Sequence, residues 1–139
     1  MDEIETYRDE HRRLDAMINE FEWLLAKERP PEPVDFLRFR HEFGRLLTQH
    51  LNREDWLIYP RLQASSAPEL RAVGERFASG IGAFGATFST HVRYWTSERI
   101  AGEWRRYRRA TEALLNALRQ RIDLEEAELY PLLATVSSH

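Results

Sequence analysis

The sequence predicts an all-α protein, an antiparallel up-down-up-down four-helix bundle that occupies residues 1–139 as a single domain. Two observations support this fold class. The prolines cluster between long stretches of chain and do not interrupt short ones, which is typical of helices joined by turns. Apolar residues recur every three or four positions within each long stretch, which is typical of helices that bury one face.

Four long helices follow from this pattern, separated by segments rich in proline, serine or glycine. We expect them at about residues 2–28, 35–63 and 68–97, and from after Gly102 to about 134. Asp35 is the expected N-cap of the second helix, because aspartate is a preferred capping residue. Glycines weaken the third helix, so a break near residues 79–82 stays open.

An internal repeat supports two related helical hairpins. Residues 46–62 match residues 117–133 at a constant offset of 71. The matched pairs include Glu54 and Glu125, Tyr59 and Tyr130, and Pro60 and Pro131. Because proline disfavours helical geometry at the residue before it, each Tyr-Pro pair is expected to close its helix.

Composition and charge exclude several classes of function. The chain has no cysteine, which removes thiolate metal sites, disulfides and cysteine nucleophiles. Twenty basic and 23 acidic residues are interleaved and leave a formal charge of -3, so nucleic acid is not expected as a partner. The N-terminus is acidic and no apolar run approaches the roughly 18 residues of a membrane span, so we expect a cytoplasmic protein without a membrane partner.

Polar side chains interrupt the apolar faces that the four helices are expected to bury. They are His11, His50, Glu54, His91 and Glu125. On the second helix the face expected to be buried continues from Glu54 to Leu57. Burying imidazoles and carboxylates costs several kcal/mol unless partners satisfy them, and a shared metal ion would do so. This ligand mixture suits iron, zinc or manganese, and it contains too much nitrogen for calcium or magnesium.

The order of these residues resembles the hemerythrin-like, or HHE cation-binding, family. The matching motifs are Glu10-His11-Arg12, His50-x-x-x-Glu54 followed by Leu57-Ile58-Tyr59-Pro60, His91, and Glu125-Glu126 followed by Leu129-Tyr130-Pro131. The resemblance covers nearly the whole chain and implies a four-helix bundle around a non-haem di-iron centre. It further implies His11 and His50 on one iron, His91 on the other, and Glu54 and Glu125 as bridges.

Arg121 departs from the family pattern, because it stands where the resemblance implies the helix-4 histidine. Arginine stays protonated and cannot ligate a metal. We therefore expect Arg121 to replace the second cation and leave one iron rather than two, with zinc or manganese as alternatives. Complete loss of metal, with Arg121 ion-paired to Glu54 and Glu125, is the competing interpretation.

Three functions stay open on the sequence alone. The first is a metal-binding module, not an enzyme, for iron or oxygen sensing, storage or buffering, with dioxygen or another small molecule as a partner. The second is a metal-free bundle that binds a protein partner. The third is a mononuclear-iron redox enzyme acting on peroxide or nitric oxide. Asp55 and Glu126 are expected on the solvated surface, because each follows a candidate ligand and points about 100° away from it.

Overall fold

The computed structural model describes residues 3–137, apart from the side-chain surroundings of positions 81, 82, 136 and 137. All regular structure in this range is helical. The elements in chain order are α1 (Glu3–Leu25), α2 (Pro33–Arg53), a first π turn (Glu54–Ile58), α3 (Tyr59–Gln63), α4 (Pro68–Tyr94), α5 (Ser97–Gly102), α6 (Trp104–Leu124), a second π turn (Glu125–Leu129) and α7 (Tyr130–Ser137). None of these helices combines the length and hydropathy that crossing a bilayer requires.

Contacts between the long helices show that neighbours run in opposite directions. Arg119 in α6 bonds to Asp15 in α1 at 2.7 Å, and further back along α6 the indole of Trp104 donates to the carbonyl of Lys27 at 3.0 Å. Sequence number thus rises along one helix as it falls along the other. Contacts between α1 and α2, α2 and α4, and α4 and α6 show the same reversal. The predicted antiparallel bundle is confirmed.

The second helix begins two residues earlier than its expected N-cap. Glu32 caps it, because its carboxylate accepts hydrogen bonds from the backbone N–H groups of Val34 at 3.1 Å and Asp35 at 2.9 Å. These bonds hold the pKa of Glu32 below its usual range. Pro33 suits the first turn, since its missing N–H would have no partner there. The prediction of Asp35 as the cap was wrong.

The Tyr-Pro pairs do not close their helices. Within the first π turn the backbone N–H of Tyr59 donates to the carbonyl of Glu54, five residues earlier, and Tyr130 bonds to Glu125 in the same way. Proline lacks an N–H, and its ring collides with the carbonyl four residues earlier in an α-helix. The wider turn relieves that conflict, so the chain stays helical through Pro60 to Gln63.

The π turns also change which side chains point inward. A π turn holds one residue more than an α turn, so the buried face moves by one position. Leu57, expected on the buried face, is 51% exposed, whereas Ile58 is fully buried. The sequence period predicted the face of α2 up to Glu54 and failed beyond it.

The third helix, α4, is continuous across residues 79–82, so the break left open by its glycines does not form. It ends at Tyr94, and the short helix α5 follows, capped by the side chain of Thr96, which accepts from the N–H of Arg99 at 3.2 Å. This short helix was not predicted. Threonine is a preferred N-cap residue, so Thr96 is a local signal from which α5 could have been predicted.

Gly74 in α4 is expected to tolerate no side chain. A Cβ there would lie 2.8 Å from Cβ of Leu62 and 3.3 Å from the backbone nitrogen of Gln63. Overpacking of this kind costs about 1–3 kcal/mol, more than the roughly 1 kcal/mol that alanine gains over glycine in a helix. Gly74→Ala should therefore lower the free energy of unfolding in urea. Gly85→Ala is the matched control, because nothing lies within 4 Å of its added Cβ, and it should raise stability. Equal effects at both glycines would contradict this packing argument.

Candidate metal centre

Four buried side chains from different helical segments converge inside the bundle. His11 comes from α1, His50 from α2, Glu54 from the first π turn and Glu125 from the second. One ligand atom of each lies within 4.8 Å of the others. His11 is 3% exposed and Glu54 is completely buried. The structure thus brings together four of the five side chains for which the sequence predicts metal ligation.

The ligand atoms face a common point. Nε2 of His11 lies 2.9 Å from Nε2 of His50 and 3.0 Å from Oε1 of Glu125. Oε1 of Glu54 lies against Nε2 of His50 and 4.0 Å from Nε2 of His11. Apart from this contact with His50, the buried glutamate oxygen has no hydrogen-bond donor among the described residues. Two imidazole nitrogens and two carboxylate oxygens therefore lie within 4.8 Å of one another in a buried site.

The outer nitrogens of both imidazoles are held by carboxylates. Nδ1 of His50 lies 2.9 Å from Oε1 of Glu10, and Nδ1 of His11 lies 2.9 Å from Oε1 of Glu126. Because an ionised carboxylate only accepts, each Nδ1 donates. A neutral imidazole with its proton on Nδ1 presents a lone pair on Nε2. In that neutral state both Nε2 lone pairs would face inward, as metal ligation requires.

This arrangement fits a bound cation. Without one, the two buried carboxylates depend on protons that His50 and Glu54 retain. A divalent ion of iron, zinc or manganese accepts two imidazoles and two carboxylates as ligands. The carboxylate–histidine pairs are the outer arrangement typical of metal-ligating histidines.

The electrostatics of the site also call for positive charge. Burial alone would lower the pKa of His50, but hydrogen bonding to Glu10, Glu125 and Glu54 outweighs it and raises the pKa to about 11. Burial and the neighbouring charge of Glu125 raise the pKa of Glu54 to about 8. Burial would also raise the pKa of Glu125, but its hydrogen bonds hold that pKa below the usual range. The negative potential that retains a proton here would equally attract a metal cation, which competes with that proton.

Two buried tyrosines complete the lining of the site. The hydroxyl of Tyr59 donates to Oε2 of Glu54 at 2.7 Å, and the hydroxyl of Tyr130 lies 3.0 Å from Nε2 of His11. Burial, together with the charges of the nearby glutamates, raises the pKa of both tyrosines well above the usual range. Both hydroxyls therefore stay protonated. The sequence repeat contained both residues, but its Tyr-Pro pairs were interpreted only as helix ends.

Arg121 lies beside the carboxylates, on the side away from the histidines. Its Nη2 donates to the hydroxyl of Tyr59 at 3.1 Å and to the carbonyl of Phe77 at 2.5 Å. Its Nε lies 3.9 Å from Oε2 of Glu125. Tyr59 in turn bonds to Oε2 of Glu54. The Oε1 atoms of both glutamates thus face the histidines, and their Oε2 atoms face Tyr59, which Arg121 contacts.

A glycine in α4 makes room for this arginine. A Cβ on Gly80 would lie 2.6 Å from Nη1 of Arg121. At this level α4 presents Gly80 and the backbone of Phe77, neither of which offers a metal-ligating side chain. Arg121 therefore occupies the space between the carboxylates of Glu54 and Glu125 and helix α4.

The structure does not bring His91 to this group. Nε2 of His91 lies 3.2 Å from Oγ1 of Thr111, and its ring stacks on Tyr107. Thr111 precedes Glu125 by 14 positions, or about 20 Å along a helix. His91 does lie on the inward side of α4, as its period predicts. The helical period cannot place a residue along the bundle axis, however, and His91 is left out of the ligand set below.

The two outer carboxylates, Glu10 and Glu126, are not among the predicted site residues. Glu126 is partly exposed, as expected of a surface position, but its carboxylate also accepts from His11 and from Nε of Arg8 at 3.2 Å. Glu10 is 5% exposed and also accepts from Nη1 of Arg53 at 2.6 Å. Each carboxylate directly neighbours a candidate ligand in sequence, which is the one signal that could have indicated it.

Replacing Glu10 with glutamine should weaken metal binding. The neutral amide still accepts from His50 but no longer raises the basicity of its imidazole, and losses of about 10- to 100-fold in metal affinity are typical for such partners. Glu126→Gln should act through His11 in the same direction, with a smaller effect because Glu126 is 35% exposed. Competition with a chromophoric zinc chelator measures both affinities.

Glu128→Gln is the control for that measurement. Glu128 sits in the same π turn as Glu126 and pairs on the surface with Arg76 at 2.6 Å. Its loss should leave metal affinity unchanged. An affinity of the Glu10 variant equal to that of the Glu128 variant would show that the outer carboxylates do not support the histidines.

Comparison with known proteins agrees with this geometry. The family profile described as the hemerythrin HHE cation binding domain matches residues 2–133. No curated protein and no solved structure matches the chain. The matched range contains all four converging side chains and nearly the whole bundle. The chain therefore belongs to the hemerythrin HHE cation-binding domain family.

Proposed function

We propose that this protein binds one iron ion through His11, His50, Glu54 and Glu125, and that it serves iron or oxygen sensing, storage or buffering. One observation carries the proposal. The inward Nε2 atoms of two imidazoles, each held by a carboxylate on Nδ1, meet two buried carboxylate oxygens. Zinc and manganese suit the same ligands, and the supply of metal in the cell decides among them.

A single ion is proposed because Arg121 already places a positive charge near the Oε2 atoms of Glu54 and Glu125. Its Nε lies 3.9 Å from Oε2 of Glu125, and it reaches Glu54 through Tyr59. A second cation beside this guanidinium would be repelled, and α4 supplies no ligand for it at this level. Reversible dioxygen carriage of the family's kind draws electrons from two irons, so we do not propose it here.

A metal-free bundle that binds a protein partner is the second candidate function. It is favoured by the hydrogen bonds that already surround His50, because an imidazolium there would neutralise part of the carboxylate charge. The contacts of Arg121 with Tyr59 and Glu125 would neutralise another part. Both arrangements keep the same fold, so metal content distinguishes the two functions.

The metal-to-chain ratio is the decisive experiment. The full chain is loaded anaerobically with ferrous iron, desalted and analysed by elemental mass spectrometry. A ratio near one supports the proposal. A ratio near two would overturn the role of Arg121, and a ratio near zero, repeated with zinc and manganese, would leave the metal-free bundle.

A further inference from the structure

A partly open cavity lies at the other end of the bundle, lined by residues of α1, α2, α4 and α6 and of the segment that follows α4. Its volume is about 170 Å³, and its walls are mostly aromatic or aliphatic. The apolar walls include Phe21, Phe43, Phe88, Trp95 and Leu114. Thr111 also lines it, about 20 Å along α6 from Glu125, so the cavity is separate from the metal centre.

Arg40 brings a positive charge to this apolar cavity. Its Nη2 donates to Oγ of Ser97 at 3.1 Å and its Nη1 to the carbonyl of Trp95 at 3.4 Å. Its Nε is buried and bonds to no atom of residues 3–137. Within that same range no carboxylate oxygen lies within 4.0 Å of its guanidinium. Burial lowers the pKa of Arg40, but arginine remains charged in proteins.

Neutral polar groups lie on another wall of the cavity. Oγ1 of Thr111 lies 3.2 Å from Nε2 of His91, and both residues line the space. Burial, followed by the charge of Arg40, lowers the pKa of His91, so its imidazole is neutral at pH 7. A neutral imidazole and a hydroxyl supply hydrogen-bond donors and acceptors without adding a second charge.

The charges of the residues that line the cavity determine whether an anion or a cation binds there. No aspartate or glutamate lines the cavity among the described residues. An arginine that is partly removed from water and lacks a counterion is stabilised by an anion and would repel a cation. An anion confined among aromatic walls must also carry an apolar body, because a small inorganic anion would leave those walls unfilled.

The volume limits the size of that body. An apolar protein cavity of about 150 Å³ holds one benzene molecule. A space of about 170 Å³ therefore accommodates a single ring, or a branched chain of similar size, with a carboxylate attached. We propose that this cavity binds a small organic monocarboxylate with one aromatic ring or a branched aliphatic chain, the carboxylate pairing with Arg40.

Benzoate is the probe that tests this proposal, with benzyl alcohol as its neutral counterpart of similar shape. Both are titrated into the full chain by isothermal calorimetry. We expect saturable binding of benzoate and at least tenfold weaker binding of benzyl alcohol. In two-dimensional NMR spectra the indole signal of Trp95 should shift with benzoate, whereas that of the exposed Trp23 should not, because only Trp95 lines the cavity.

Variants of Arg40 and Arg38 test which positive charge benzoate binding requires. Arg40→Gln should weaken benzoate binding at least tenfold, whereas Arg38→Gln, an exposed arginine of α2 outside the cavity, should leave it unchanged. Arg40→Lys keeps the positive charge and should retain most of the binding even if the glutamine variant is unstable. Absence of saturable binding, equal binding of benzyl alcohol, or binding that Arg40→Gln leaves unaltered would each overturn the proposal.

Discussion

Replacing His50 with alanine is expected to abolish the stabilisation that metal confers. A ligand present at about 100 times its dissociation constant adds about 2.7 kcal/mol to the free energy of unfolding. For a domain of this length that corresponds to a melting temperature about 10 °C higher. His50 supplies one of the two imidazoles at the centre, so its removal should eliminate this increase. Thermal melts with and without zinc or ferrous iron measure it.

The metal-free protein should also lose stability in this variant. His50 contacts Glu10 at 2.9 Å and also lies against Glu54, so its loss leaves buried carboxylates without a partner. Breaking a buried ionic contact on one side typically costs about 3–5 kcal/mol. The test is therefore the difference between loaded and metal-free melting temperatures within each variant. His11→Gln, which keeps a polar side chain, provides a second variant with the same expected loss.

His41→Ala is the matched control for the metal response. His41 lies on the same helix but is exposed and outside the four-residue group. It should keep the full metal-dependent increase. If the His50 variant retained that increase, or if the parent protein showed none with any of the three metals, the proposed ligand set would be wrong.

Replacing Arg121 with histidine is expected to create a second metal position. The change removes a positive charge beside the carboxylates and adds an imidazole one turn before Glu125, as His50 stands before Glu54. Oε2 of Glu125 already lies on that side, 3.9 Å from the present guanidinium. The metal-to-chain ratio should rise from near one towards two under identical anaerobic loading.

Arg121→Gln separates the two effects of that substitution. It removes the charge without adding a metal ligand, so one ion should still bind. Arg105→His adds a histidine at an exposed position of α6 and should leave the ratio unchanged. A ratio that does not rise in Arg121→His, or that rises equally in Arg105→His, would contradict the view that Arg121 stands in for a second cation.

The sequence determined the inward faces of the helices up to the π turns and the four polar residues that could share a metal ion. His11, His50, Glu54 and Glu125 each occupy a buried position in a helical period, and burying such groups is costly without a shared partner. The helical period and the cost of burying a polar group both follow from the sequence of one helix. They can therefore be inferred without knowing which helices lie beside it. The bundle itself follows from the same reasoning.

The α-helical period did not predict which residues are buried within and after the two π turns. The α-helical repeat predicted Leu57 inside, but the π turn buries Ile58 instead. Tyr59 and Tyr130 follow these turns, so that the hydroxyl of Tyr59 reaches both carboxylates and the hydroxyl of Tyr130 reaches Nε2 of His11. At a proline a helix can either end or continue through a wider turn. The packing of the residues that follow the proline decides which of the two forms.

Only the tertiary structure decided which residues of neighbouring helices lie at the same height along the bundle axis. The spacing of apolar residues indicates a face of a helix, but not how far one antiparallel helix is shifted along another. That shift separates His91 from the metal centre, places Glu10 and Glu126 on the two histidines, and brings Gly80 to Arg121. The chemistry of the candidate ligands was therefore present in the sequence. Their grouping, and the position of Arg121 beside them, depended on contacts between helices far apart in the chain.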